Sequence, residues 1–148
     1  MFTIKKIDHV AICVPDIDEA VAKYKNVLGL AAKERETVAS QKTEAALLPI
    51  GESNIELITP RGNDGLVKFL EKRGPGLHHI ALEVEGIENA LAFLKSIGVP
   101  LIDETPRAGA NDSEGNPDAY QVVLKLLQDS YEVSPTVAWP PRHSNAGP

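Results

Sequence analysis

The amino-acid sequence predicts an α+β fold in which two tandem βαβββ modules form a cupped mixed sheet. Two observations support this prediction. A segment near the N-terminus recurs in the middle of the chain, and each copy begins with a strand-like stretch that runs into an amphipathic helix. The length of 148 residues fits one domain, or two small modules that share a core.

The repeat is visible as a direct alignment. Residues 7–30 (IDHVAICVPDIDEAVAKYKNVLGL) align without a gap on residues 77–100 (LHHIALEVEGIENALAFLKSIGVP) at an offset of 70. Chance similarity between two amphipathic segments would rarely place so many identities in one register, so we infer that the module is duplicated. The identical pairs are His9–His79, Ala11–Ala81, Val14–Val84, Ile17–Ile87, Ala20–Ala90, Ala22–Ala92 and Lys25–Lys95.

An amphipathic helix follows the first strand of each copy. In the first copy Asp16 is suited to cap the helix, with Glu19 three residues later, and Gly29 ends it. In the second copy apolar residues repeat at helical spacing from Ile87, and Gly98 ends the helix.

Short segments rich in branched aliphatic residues lie on either side of these helices, which is typical of strands. Each copy therefore has the pattern βαβββ. The predicted strands are 7–14, 31–38, 42–49 and 54–59 in the first copy, and 77–84, 100–103, 120–127 and 130–134 in the second.

Four segments follow from this pattern. The first module spans residues 1–62, a linker with one short helix spans 63–75, the second module spans 76–135, and a proline-rich flexible tail spans 136–148. We expect Asp64 to cap the linker helix. Its buried side is predicted to comprise Leu66, Val67, Phe69 and Leu70.

Composition excludes several classes of protein. A net charge of −6, from 15 basic and 21 acidic residues, argues against a nucleic-acid partner. No apolar run approaches the roughly 18 residues needed to span a membrane, and the N-terminus lacks a signal peptide. Cys13 is the only cysteine, which excludes an internal disulfide and fits a reducing compartment. We therefore expect a soluble cytoplasmic protein.

The duplication also predicts a metal site. His9 and His79 are equivalent residues on the first strand of each copy, and Glu56 and Glu132 each lie centrally in the last strand. A lone histidine on a strand is more often a packed or hydrogen-bonded residue than a ligand, but the recurrence of both residue types favours ligation. Two imidazoles and two carboxylates suit an octahedral divalent metal with two open positions. His78 should point to the opposite face and is assigned a packing or hydrogen-bonding role.

Four segments resemble the methylmalonyl-CoA epimerase family of the vicinal-oxygen-chelate (glyoxalase) superfamily: DHVAICVPDIDEAVAKY, LPIGESNIELITP, FLEKRGPGLHHIALEV and GVPLIDETPRAGA. The resemblance covers roughly residues 5–110. It implies paired βαβββ modules and a divalent metal bound at the positions of His9, Glu56 and His79. Cobalt is the metal that it favours, with manganese, nickel or zinc as alternatives. It also implies a fourth ligand, a glutamate on the final strand.

The C-terminal part departs from the family pattern. A strand, a tight turn and a last strand still fit the sequence, and they place Glu132 in the ligand position about three residues later than the family spacing. Asp129 matches that spacing better, but it lies in a predicted turn. The fourth ligand is therefore open between these two residues.

The chemistry that the resemblance implies is proton transfer at the carbon between a thioester and a carboxylate of an acyl-CoA. Exchange on both faces of that carbon needs a base on each side. The resemblance suggests Glu44 and Glu132 for these roles. A second alignment places Ala45 at the first position instead, and such a one-residue slip would turn the side chain to the other face of the sheet.

Three other functions use the same fold: a glyoxalase I-type isomerase, an extradiol-type dioxygenase with two histidines and one glutamate around iron(II), and a metal-free antibiotic-sequestering protein. The four candidate ligands disfavour the last, and the epimerase-like segments favour the epimerase over the other two. The resemblance and the short chain also lead us to expect a homodimer.

Overall fold

The computed structural model describes residues 2–98 in full and the backbone of residues 120–126 and 131–137. The chain divides into two units. One comprises His9–His78, and the other comprises Met1–Asp8 with His79–Pro148. The division passes through the first strand of each predicted module, so that the long N-terminal strand contributes residues to both units.

The unit His9–His78 has the predicted βαβββ order, and the α+β fold is confirmed. Its elements are β1 (Thr3–Cys13, of which His9–Cys13 belong to this unit), α1 (Ile17–Leu28), β2 (Glu34–Val38), a short 3₁₀ turn (Ala39–Gln41), β3 (Thr43–Ile50), β4 (Ser53–Pro60) and α2 (Asp64–Arg73). The strands are arranged β2-β3-β4-β1, with β1 parallel to β4 and the other pairs antiparallel, which makes a mixed sheet.

The second unit contains β5 (Gly76–Glu85, from His79 onward), α3 (Ile87–Ser96), β6 (Tyr120–Leu126) and β7 (Tyr131–Val137). Strand β5 pairs with β6 and β6 with β7, both antiparallel. In the first module the first strand pairs instead with the last strand of its module, in parallel. The predicted strand at 100–103 lies outside the described residues.

Local capping explains where the helices begin and end. The Asp16 carboxylate accepts a hydrogen bond from the Glu19 backbone N–H at 3.1 Å, as predicted. Gly29 has φ 70° and its N–H donates to the Lys25 carbonyl at 2.9 Å, which ends α1 at the predicted residue.

Two details of α2 correct the prediction. The cap is Asn63, whose side-chain oxygen accepts a hydrogen bond from the Leu66 N–H at 3.0 Å, whereas Asp64 is the first helical residue. Either side chain could cap a helix, and the backbone decides between them because Asn63 is extended. Val67 is exposed rather than buried, because the buried stripe of this helix runs through Leu66.

A hydrophobic core lies between α1 and one face of the sheet. Ala46 and Leu48 of β3, Leu57 of β4 and Ile17 of α1 are buried together there. Because side chains alternate between the two faces of a strand, the intervening residues Leu47 and Glu56 lie on the other face. The first unit thus has a helix-covered face, and a second face that bears Glu56.

Candidate metal centre

His9 and Glu56 are brought together by the parallel pairing of β1 with β4. His9 is the register partner of Asn54, and Ala11 is the partner of Glu56, so these four residues share one face of the sheet. His9 Nε2 lies 3.6 Å from Glu56 Oε2. These two side chains, which were predicted as metal ligands on separate strands, are therefore neighbours.

Both residues are enclosed. His9 is 3% exposed and Glu56 is 7% exposed, on the face opposite the α1 core. Burial raises the pKa of Glu56, and the neighbouring His9 acts in the opposite direction. A carboxylate in such surroundings is costly to keep ionised unless a cation compensates it.

His79 completes a group of three. One ligand atom from each of His9, Glu56 and His79 lies within 4.8 Å of the other two. Adjacent ligand atoms around an octahedral metal with bonds of about 2.1 Å are about 3.0 Å apart, and opposite ones about 4.2 Å. Two imidazoles and a buried carboxylate are also the donors that divalent first-row metals accept. The residues present fit a divalent metal.

Glu132 lies on β7, where it pairs with Lys125 of β6, which in turn pairs with His79 of β5. The backbones of these three residues are therefore in register across the three strands. At a strand spacing of about 4.8 Å, β7 runs about 10 Å from β5. Glu56, by contrast, lies on the strand next to that of His9. Ligation by Glu132 stays a prediction, and Asp129 lies outside the described residues.

Glu44 is not brought to this group. It pairs with Thr59, whereas the partner of Glu56 is Leu47, three residues away from Glu44 on the same strand. Because three residues is an odd number of steps along a strand, Glu44 and Glu56 point to opposite faces. This geometry argues against the predicted role of Glu44 as a base.

Two arginines hold Glu44 on the helix side of the sheet. Arg35 Nε donates to Glu44 Oε1 and Arg61 Nε donates to Glu44 Oε2, each at 2.8 Å. Arg35 Nη1 also contacts Asp18 of α1 at 2.6 Å. Burial acts to raise the pKa of Glu44, but the hydrogen bonds from Arg61 and Arg35 outweigh it and the pKa is lowered. The network ties α1, β2 and β3 to the end of β4.

Sequence reasoning missed Leu47 and the two arginines. Leu47 is the direct partner of Glu56 and is itself buried. The signal that locates it is the hairpin between β3 and β4, where Ile50 pairs with Ser53 across a turn that contains Gly51 at φ 55°. Once that turn is known, every cross-strand pair follows. His78 was predicted to pack or to form a hydrogen bond, and its ring lies edge-on to that of Phe69, with the ring centroids 5.1 Å apart.

Comparisons with known proteins agree with this architecture. The family model described as glyoxalase/bleomycin resistance protein/dioxygenase superfamily matches residues 8–115. The chain is 45% identical over 107 residues to the uncharacterized protein YqjC of Bacillus subtilis, covering 72% of this chain and 76% of that one. Among the described residues, no helix is long and apolar enough to cross a membrane.

Two further relatives have named activities. Human mitochondrial methylmalonyl-CoA epimerase is 33% identical over 113 residues, which is 75% of this chain and 64% of that protein. The present chain thus spans slightly less than two thirds of the human sequence. A variant of Streptomyces coelicolor methylmalonyl-CoA epimerase in complex with 2-nitronate-propionyl-CoA superposes with a TM-score of 0.74 and 26% identity, covering 93% of this chain and 97% of that one.

Proposed function

Because the chain belongs to the glyoxalase/bleomycin resistance protein/dioxygenase superfamily, we propose that it interconverts the 2R and 2S forms of methylmalonyl-CoA. The reaction is a 1,1-proton transfer, in which the proton on C2 is removed from one face and returned to the other. The identity to relatives that bear the epimerase name supports this choice of substrate.

The observation that supports a reaction of this kind is the group formed by His9, Glu56 and His79. We assign these residues to one divalent metal, with cobalt preferred over manganese, nickel and zinc. When bound, such an ion supplies a Lewis acid that stabilises negative charge on the substrate oxygens. Neutral imidazole and ionised carboxylate are the ligand forms, and a cation would favour the ionised form of the buried Glu56.

The residues of the chain have three tasks in this scheme. His9, Glu56 and His79 hold the ion. Leu47, buried beside Glu56, helps to keep water away from the carbon acid, which strengthens electrostatic interactions in the site. A base must move the proton on each face of C2, and Glu132 is the proposed base on one of them. The base on the other face is not assigned to Glu44, because Glu44 is held on the helix side.

We also propose a substrate class, an oligomeric state and a cellular compartment for the enzyme. The substrate is an acyl-CoA, and the active species is a homodimer. We place the protein in the cytoplasm, where the single buried thiol of Cys13 would stay reduced.

A second activity fits the same three ligands. Two histidines and one carboxylate are the facial triad of non-haem iron(II) oxygenases, and dioxygenases belong to the same superfamily. Oxygen uptake with a catechol in the presence of iron(II) would identify this alternative. The epimerase is preferred because named relatives of that activity match three quarters of the chain.

The decisive experiment is deuterium incorporation at C2 of methylmalonyl-CoA in D₂O, followed by mass spectrometry and combined with metal analysis of the purified protein. The wild type should contain about one equivalent of a divalent metal and should exchange the C2 proton. His9→Ala should lose both properties, because a three-ligand site with one ligand removed binds metal weakly. His78→Ala, which alters the histidine next to His79, should keep both. Full metal content in His9→Ala would refute the assigned metal site. Metal binding by the wild type without exchange of the C2 proton would refute the epimerase activity.

A further inference from the structure

We propose that Leu47 sets the size of the alkyl group on C2 that the site accepts. This inference rests on the proposed function and concerns the same site. It assigns a specificity role to a residue on the sheet face that bears Glu56.

The register places Leu47 directly beside Glu56. The two residues are partners in the antiparallel pairing of β3 with β4, and the Cβ atoms of such partners are about 4.5–5.5 Å apart. On the other side, the register partner of Glu56 is Ala11 of β1, whose side chain is a single methyl group. Leu47 is therefore the larger of the two apolar side chains that flank Glu56 across the strands.

Leu47 is enclosed without being part of the core beneath α1. It is 8% exposed, close to the 7% of Glu56. Its chain neighbours Ala46 and Leu48 are members of the core under α1, and Leu47 is not. Its volume thus fills space on the ligand side of the sheet, so that a smaller side chain would enlarge that space.

The chemistry of the substrate places its alkyl branch in this space. In a malonyl thioester, C2 is bonded to both carbonyl carbons, so that it lies about 2.4 Å from each of the oxygens that the group at His9 and Glu56 would hold. The branch begins one bond further on. Because Leu47 is adjacent to Glu56, the alkyl branch and the Leu47 side chain would occupy the same volume. A longer branch therefore fits only if the side chain at position 47 is smaller.

The test compares methylmalonyl-CoA with ethylmalonyl-CoA, which differ by one methylene. We expect Leu47→Ala to raise the ratio of kcat/KM for the ethyl over the methyl ester by about 10-fold or more, within the range that enzymes show for one methylene in a pocket. Leu47→Val should raise it by a smaller factor, and Leu47→Phe should lower it. Because Leu47→Ala also removes buried volume, Leu47→Val serves as the variant that retains the fold.

Leu48→Val is the matched control. It makes the same change at the next residue, but on the α1 face of the strand. It should lower the Tm at least as much as Leu47→Val does and leave the substrate ratio unchanged. A ratio that shifts equally in both variants would indicate a general loss of packing and would overturn the proposal.

A binding measurement gives a readout that does not depend on turnover. Calorimetry should show that Leu47→Ala improves the Kd of 2-nitronate-butyryl-CoA relative to 2-nitronate-propionyl-CoA, whereas Leu48→Val leaves this ratio as in the wild type. Unchanged ratios in an active Leu47→Ala enzyme would overturn the specificity role alone. A wild type that exchanges the C2 proton of neither ester would overturn the proposed function itself.

Discussion

Cys13 illustrates how burial controls the chemistry of a single residue. It is the last residue of β1, it is fully buried, and its thiol is free. Burial raises the pKa of this thiol from 9.0 to about 11, because the thiolate would lose its hydration. Since the thiolate is the reactive form, Cys13 is expected to be chemically inert in the native protein.

We predict that Cys13 reacts with a disulfide reagent such as DTNB at pH 8 only after denaturation. The pH dependence has a defined sign. Between pH 9 and about 11 the unfolded chain loses the thiol proton before the folded one does, so the free energy of unfolding falls as the pH rises through this window. Urea titrations at pH 8 and pH 10 measure this loss, and Cys13→Ala should reduce it. Rapid reaction of the native thiol would contradict the prediction.

Glu56 and Glu44 show what could be predicted for single residues. Glu56 was proposed as a ligand from the sequence because a glutamate lies centrally in the last strand of each copy, and the structure places it 3.6 Å from His9. The face on which Glu44 lies could not be found in this way, because one residue of register reverses it. The hairpin turn that contains Gly51 sets that register, and the repeat gives no information about it.

At the scale of helices, the cap and the end of α1 were predicted correctly because both depend on adjacent residues, whereas the cap of α2 is Asn63 and not the predicted Asp64. Gly29 has φ 70°, and no atom lies within 4 Å of a Cβ added there. We predict that Gly29→Ala lowers the free energy of unfolding by about 1 kcal/mol, entirely through backbone strain. Gly76 has an equally open environment without a positive φ, so Gly76→Ala should change it by less than about 0.5 kcal/mol. Equal midpoints of urea unfolding for Gly29→Ala and Gly76→Ala would show that alanine adopts the left-handed conformation at position 29 without strain.

At the scale of strands, element types were predictable but neighbours were not. The segments predicted at 120–127 and 130–134 appear as Tyr120–Leu126 and Tyr131–Val137. The repeat predicted the same order of elements in both modules, but it gave no strand neighbours: the last strand lies next to the first in one module only. In the first module β1 pairs with β4, whereas in the second β5 pairs with β6. Pairing between distant segments depends on tertiary packing, which periodicity does not encode.

Substitutions of Glu132 test whether this residue, on the strand β7 that pairs with β6, still serves as the fourth metal ligand. If it is the fourth ligand, Glu132→Gln should weaken metal binding and abolish C2 exchange, because the change removes a full negative charge from a site that holds a dication. Asp129→Asn should leave both nearly intact. Metal titration and deuterium exchange measure the two effects. Greater damage from Asp129→Asn would show that the ligand register is shifted, and two silent variants would show that three protein ligands suffice.

For the whole molecule, the α+β class and the family follow from the duplication and the quoted motifs, whereas the homodimer is expected from the resemblance and the short chain and stays a prediction. The structure exposes large apolar side chains at the ends of its helices. Val27 and Leu28 of α1 are 70% and 62% exposed, and Ile97 after α3 is 58% exposed. Single exposed apolar residues are normal on a protein surface, but adjacent ones are suited to an interface.

We therefore predict a homodimer in solution. Sedimentation at micromolar concentration should give one species at about twice the chain mass of 15.9 kDa. A dimer that buries a standard interface should persist on dilution, because such interfaces commonly bind at nanomolar to micromolar concentration. It should also make the Tm depend on protein concentration, since dissociation is then coupled to unfolding. A species of about 16 kDa across the whole concentration range, with a constant Tm, would show that the chain acts as a monomer.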